Sequence, residues 1–140
     1  MDDVTIGSPD TATATFGQPD IASDKSGMSI PLTLIAEGLS ARCAIDLEAW
    51  SQGPKGLVDY FGDMATAWSG WAGTKEWSDD GGSISMRATH DEIGHIALAI
   101  LASPSVGWDD PGSWDLRITI PLEPGSLGGI TERLASLLQR

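Results

Sequence analysis

The chain is short of the side chains from which disulfides, metal centres and nucleic-acid grips are made. It has 140 residues, of which one is cysteine, two are histidine, and Lys and Arg together number 8. The lone thiol, Cys43, has no internal partner, so a disulfide scaffold is excluded. Its place in a strand-like run predicts a buried apolar thiol and suits a reducing compartment. Against the 8 basic residues stand 20 Asp and Glu, giving a formal net charge of −12 with the excess present in both halves of the chain. Such a surface repels nucleic-acid phosphates and anionic head groups, which predicts neither nucleic-acid nor membrane binding. No apolar run approaches the roughly 20 residues that a bilayer-spanning helix needs, and no basic, apolar leader opens the chain. The expectation is a soluble, cytoplasmic protein. A length of 140 residues is enough to bury one hydrophobic core unaided, so a single domain over residues 1–140 is expected and no cofactor is implied.

What the chain does have is alternation. Residues 1–27 are rich in Thr, Ala, Ser, Asp and Pro; TATATF, between SPD and QPD, reads as one short strand, with residues 1–12 open to fraying. Met28, Ile30, Leu32 and Leu34 then alternate with Ser29, Pro31 and Thr33, the period of a strand with one buried face. Pro31 lacks a backbone N–H, which puts this strand at an edge or leaves it paired on one side at that point. After EGLS, Ala41, Cys43, Ile45, Leu47 and Ala49 repeat the pattern and predict an antiparallel hairpin. Leu57, Phe61, Met64 and Trp68 recur at helical spacing behind Pro54 and before Gly70 and Gly73. A short strand at Lys75 to Ser78 and a reversal at Asp80-Gly81-Gly82 lead into two strands, one carrying Ile84, Met86, Ala88 and His90, the other Ile96, Leu98 and Ile100. The run from Trp114 to Leu122 is the most regular strand, and Leu127, Ile130, Leu134, Leu137 and Leu138 form a second helical stripe with Ser126 as N-cap. The order β-β-β-α-β-β-β-β-α predicts an α+β two-layer domain: a mostly antiparallel sheet of about six to seven strands with two helices packed on one face.

Both histidines lie in HDEIGH, residues 90–95. Two histidines share a helix face at i, i+4, as in HExxH, whereas His90 and His95 are one residue further apart. They could still approach across a hairpin, and beside Asp91 they have the chemistry of a metal ligand set or an acid/base pair. No third ligand is marked by motif, and the chain carries no nucleophile elbow, phosphate loop or paired-acid motif. The residues therefore favour a hairpin turn set by Asp91 and Gly94, with local hydrogen bonds from the imidazoles, no metal and no catalytic residue.

Six tryptophans are the more informative excess. Trp68 belongs to the helical stripe and reads as core; Trp71 and Trp77 flank a glycine-rich corner and read as packing of the helix end onto the sheet. Trp50, Trp108 and Trp114 fall near strand ends or in loops, where packing and partner contact compete. The acidic pairs Asp79-Asp80 and Asp109-Asp110 are either solvated loop charges or, together with Trp108, a face for a basic partner.

The segment GLVDYFGDMATAWSGWAGTKEWSDDGGSISMRATHDEIGH, residues 56–95, resembles a family of small, mainly actinobacterial proteins of unknown function. The shared order is helix, W-x-G-W-x-G, W-S, then H-D-x-x-G-H between strands, and it is similar to proteins known as WapI-type immunity proteins, which protect a bacterium from a secreted toxin. The match extends more loosely to GLSARCAIDL, Trp114 and LEPGSL; residues 1–27 match nothing, and the resemblance brings no catalytic or ligand residues. It implies a non-enzymatic protein that binds and neutralises a toxin domain, and many such domains carry basic grooves that an acidic inhibitor complements. Two alternatives stand beside it: a structural or regulatory module acting as a homodimer, and a metal-dependent enzyme using His90, Asp91 and His95.

Overall fold

The computed structural model describes residues 3–51, 53–91, 93–104 and 110–138. The first half of the chain is five strands: β1 (Val4–Ser8), β2 (Ala12–Phe16), β3 (Asp20–Ile21), β4 (Gly27–Ala36) and β5 (Leu39–Glu48). Alternation is strictest where burial is deepest: Ile30, Leu32 and Leu34 of β4 are fully enclosed, each burial stabilising the fold by about 1.5–3 kcal/mol. β4 and β5 form the antiparallel hairpin the sequence predicts, paired from Gly27–Glu48 to Ala36–Leu39 and turned by Gly38 at φ 74°. On its other side β4 pairs with β2 and then, further along, with the two-residue β3. Pro31 sits in the break between them. Its carbonyl accepts from the Gly17 N–H at 2.9 Å, and since a residue's N and O face the same side of a strand, the missing N–H costs no ladder bond.

Within residues 1–12, of which 1 and 2 lie outside the described residues, Val4–Ser8 form β1. Val4 and Ile6 are each only 2% exposed, because β1 extends the sheet through β2 and also lies against β9 and the last helix. The burial comes from elements more than a hundred residues away in the chain, which local composition cannot register.

Helix α1 (Gly53–Thr66) buries Leu57, Phe61 and Met64 on one face. It leads into the second sheet, β6 (Lys75–Ser78), β7 (Ile84–His90), β8 (Ile96–Ala102) and β9 (Leu116–Leu122), antiparallel in that order. A 3₁₀ turn at Pro124–Ser126 runs into α2 (Leu127–Leu138), which packs on α1. Ser126 does not cap this helix: its hydroxyl donates back to the Glu123 carbonyl at 2.7 Å. The fold is therefore α+β with antiparallel sheets and two helices. Among the described residues the strands number nine, five in one sheet and four in the other, rather than six or seven in one.

One core joins both sheets and both helices, with Phe16 of β2 set edge-on to Phe61 of α1 at 6.2 Å between ring centroids. The sheets meet where β1 and β2 lie against β9. Gly7 makes that approach possible: at φ 96°, a Cβ there would stand 2.3 Å from the Ala12 carbonyl oxygen and 2.7 Å from Cγ2 of Ile120.

Candidate functional site

Asp91 holds the turn between β7 and β8. One carboxylate oxygen accepts from the backbone N–H of Ile93 (2.9 Å) and of His95 (2.8 Å), and the other lies 2.7 Å from Nδ1 of the His95 ring. Gly94 completes the reversal at φ 101°. Partial desolvation pushes the Asp91 carboxyl up, but the N–H donors of His95 and Ile93 and the His95 ring outweigh it and hold it below the usual range. His90 is directed elsewhere: its Nε2 lies 3.1 Å from the Trp68 carbonyl oxygen, and its ring meets Trp71 edge-on at 5.2 Å. The two imidazoles thus have separate partners. Glu92 lies outside the described residues, among which no three His, Cys, Asp or Glu side chains gather as a metal-ligand set. His90, Asp91 and His95 do line one cleft of about 480 Å³, walled also by Ile96 and Pro121. Asp91 could orient the His95 ring for proton transfer, but among the described residues no hydroxyl or thiol bonds that ring.

The tryptophans divide. Trp71 is half-buried and donates from Nε1 to the Ala88 carbonyl at 3.2 Å, while Lys75 stands 5.4 Å over its ring. Trp77 of β6 packs half-buried on the core. Trp68 is not core: it is 61% exposed, because α1 ends at Thr66 before the helical stripe reaches it.

The pair Asp79-Asp80 also has a different position from a solvated loop. Asp79 is 6% exposed, and its carboxylate accepts from the N–H of Ile84 (3.1 Å) and of Asp46 (2.9 Å). Asp80 accepts from the N–H of Glu48 at 2.7 Å, and its own N–H donates to the Asp46 carbonyl. The β6–β7 turn is thereby fastened to the open edge of β5, and Asp79 is unavailable to a partner. Asp110 is exposed in a turn closed by the Ser113 N–H; Trp108 and Asp109 lie outside the described residues.

The fastening reveals a groove that sequence reasoning missed. On β3, β4 and β5, Asp20, Ser29 and Asp46 stand in one cross-strand row. Asp20, Asp46 and Glu48 line a groove of about 270 Å³. Among the described residues, none of these three, nor Asp79 or Asp80, has a cationic partner. Desolvation, and then the neighbouring Asp79, raise the Asp46 carboxyl above its ordinary value, so a cation entering the groove would relieve a cost already present. Two large apolar side chains flank it in sequence, Ile21 beside Asp20 and the 80%-exposed Trp50 two residues after Glu48. The one signal in the sequence was the polar alternation of Asp46 and Glu48; nothing local linked it to Asp20 or to Asp79.

These observations define an α+β protein of two antiparallel sheets that meet at one edge, with an acidic groove on the first and a histidine-lined cleft on the second. The chain belongs to DUF6228, a family of unknown function whose model matches residues 6–140. No curated protein matches it. Among solved structures it is similar to WHY3 from Arabidopsis thaliana, at a TM-score of 0.49 and 10% sequence identity, over 98% of this chain and 88% of that one. At that distance the likeness bears on neither activity nor partner. No helix among the described residues is long and apolar enough to cross a membrane.

Proposed function

We propose that this protein is a non-enzymatic, immunity-like inhibitor that binds a basic toxin domain. The observation that carries the proposal is the groove of carboxylates with no cationic partner among the described residues, Asp20, Asp46 and Glu48, with the exposed Trp50 two residues after Glu48 in the chain. Lysine or arginine side chains at the partner's active site would find there several acceptors at once, and a flat aromatic surface supplies the desolvated anchor that binding hot spots use. The toxin class is suggested by the reading of residues 56–95 as resembling a family that is in turn similar to immunity proteins. The overall charge of −12 adds long-range attraction, so association should slow steeply as salt rises.

The test is coexpression with a basic toxin-like domain, sought first in the genes next to this one, followed by measurement of the complex. Protection is expected, with Trp50→Ala weakening binding by at least about 2 kcal/mol, roughly 30-fold. The double change Asp20→Asn with Glu48→Gln should reduce the association rate and flatten its salt dependence. Absence of both protection and complex sinks the proposal. A second reading, self-association, is favoured by Trp68 and Ile93, exposed before and after His90 in the chain. Sedimentation that shows a dimer dissociated by Trp68→Ala would replace the first reading with this one.

A further inference from the structure

We infer that the solvent-facing side of the second sheet carries a binding site for a small oxyanion, independent of the acidic groove. Arg87 of β7 and Arg117 of β9 border one cavity of about 260 Å³, with Thr89 and Thr119 on its walls and Ala97 and Ala99 of β8 among its lining. The register explains the cavity. Arg87, Ala99 and Thr119 form one cross-strand row and Thr89, Ala97 and Pro121 the next, so the methyl groups of β8 lie between longer side chains on both neighbouring strands. Ala99 is only 8% exposed although it faces away from the core, as expected of the floor of a depression.

The chemistry of the rim is one-sided. Guanidinium groups offer only donors, threonine hydroxyls can add one each, and among the described residues no carboxylate lines the cavity. Arg87 is braced by Glu76 at 3.2 Å, which leaves that pair neutral. Arg117 has no carboxylate partner among the described residues; Asp115, two residues before it in the chain, is bonded to the Ser103 hydroxyl instead. With the Arg87–Glu76 pair neutral, Arg117, which has no carboxylate partner among the described residues, supplies the positive charge of the rim, and planar guanidinium matches carboxylate and phosphate oxygens in pairs. The volume lies below the roughly 300 Å³ at which pockets for drug-sized molecules begin, which limits the ligand to a small one.

The experiment is an NMR titration of the full chain with inorganic phosphate and, separately, acetate, with chloride holding ionic strength constant. Saturable shifts at the amides of Ala97, Ala99 and Thr119 are expected, with Arg117→Ala raising the dissociation constant at least about tenfold and Arg117→Lys recovering part of the loss. Ala99→Leu, which fills the floor, should abolish saturation while leaving both arginines in place. Saturation by phosphate alone assigns a phosphoryl ligand, by acetate alone a carboxylate, and by both an oxyanion of either kind. Shifts that follow chloride equally, stay linear in both anions, or persist unchanged in Arg117→Ala overturn the inference.

Discussion

The two sheets solve the same problem, an exposed edge, with different chemistry. In the first, the outer N–H groups of β5 at Asp46 and Glu48 are taken by carboxylates from the β6–β7 turn. In the second, the Tyr60 hydroxyl of α1 caps the β6 edge by donating to the Lys75 carbonyl at 2.9 Å, while β9 is covered by β1 and β2. An edge sealed by carboxylates concentrates negative charge beside itself; an edge sealed by a neutral phenol or by a neighbouring strand does not. The seal on the first sheet thus adds Asp79 and Asp80 behind a groove that Asp20, Asp46 and Glu48 already line, whereas the Tyr60 hydroxyl brings no charge to the sheet that carries Arg87 and Arg117.

The seam between the sheets is where the comparison breaks most easily. Gly7→Ala combines a strained positive φ with overlap against Ala12 and Ile120, and should cost at least about 3 kcal/mol by urea unfolding. Gly38→Ala, also at positive φ but with nothing near its absent Cβ, should cost about 1 kcal/mol. Equal losses would remove the close approach as the cause.

Next comes the carboxylate seal. Asp79→Ala strips acceptors from two backbone N–H groups and should destabilise by about 2–3 kcal/mol, against under about 1 kcal/mol for the exposed Asp80→Ala, both read as midpoint shifts at unchanged slope. If both substitutions shift the midpoint alike, the seal is not what holds β5. Within the second sheet, Trp71→Ala should cost about 2 kcal/mol and Trp68→Ala under about 0.5 kcal/mol in the same assay.

The smallest expected effect is on pH dependence, and its sign differs between the sheets. Asp46 has a folded value raised above 3.8, so its favourable contribution is present below that value and is lost as pH rises through the folded one. Asp91 has a folded value below 3.8, so its contribution is present above that value and is lost as pH falls through the folded one. Asp46→Asn should therefore raise the unfolding midpoint at pH 7 and leave it unchanged at pH 2.5, and Asp91→Asn should lower it at pH 7 with the gap narrowing towards pH 2.5. Shifts of the same sign for both variants at pH 7 would contradict the two environments described.

Much of this fold was legible because period-2 burial writes itself into adjacent residues. Ile30, Leu32 and Leu34, or Ile118, Ile120 and Leu122, identify strands without help from the rest of the chain, and Leu57, Phe61 and Met64 identify a helix in the same way. The turn residues Asp91 and Gly94 were equally readable, since an aspartate reaching its neighbours' N–H groups is a local device. Trp68 was misplaced because helical spacing does not record where the helix stops. β1 was missed because Val4 and Ile6 are buried by β9 and α2, and the groove because Asp20, Asp46 and Asp79 are brought together from three separate segments.

By itself, then, the sequence determined the class of fold, the positions of most strands and both helices, and the sign of the protein's field, since each follows from side chains read over a few residues or summed over all of them. The division into two sheets, the burial of Asp79 and the separation of an acidic groove from an arginine-bordered cavity were decided only in three dimensions. They depend on which strand edges meet and which N–H groups are left to be satisfied, and those are properties of pairs of segments rather than of any one.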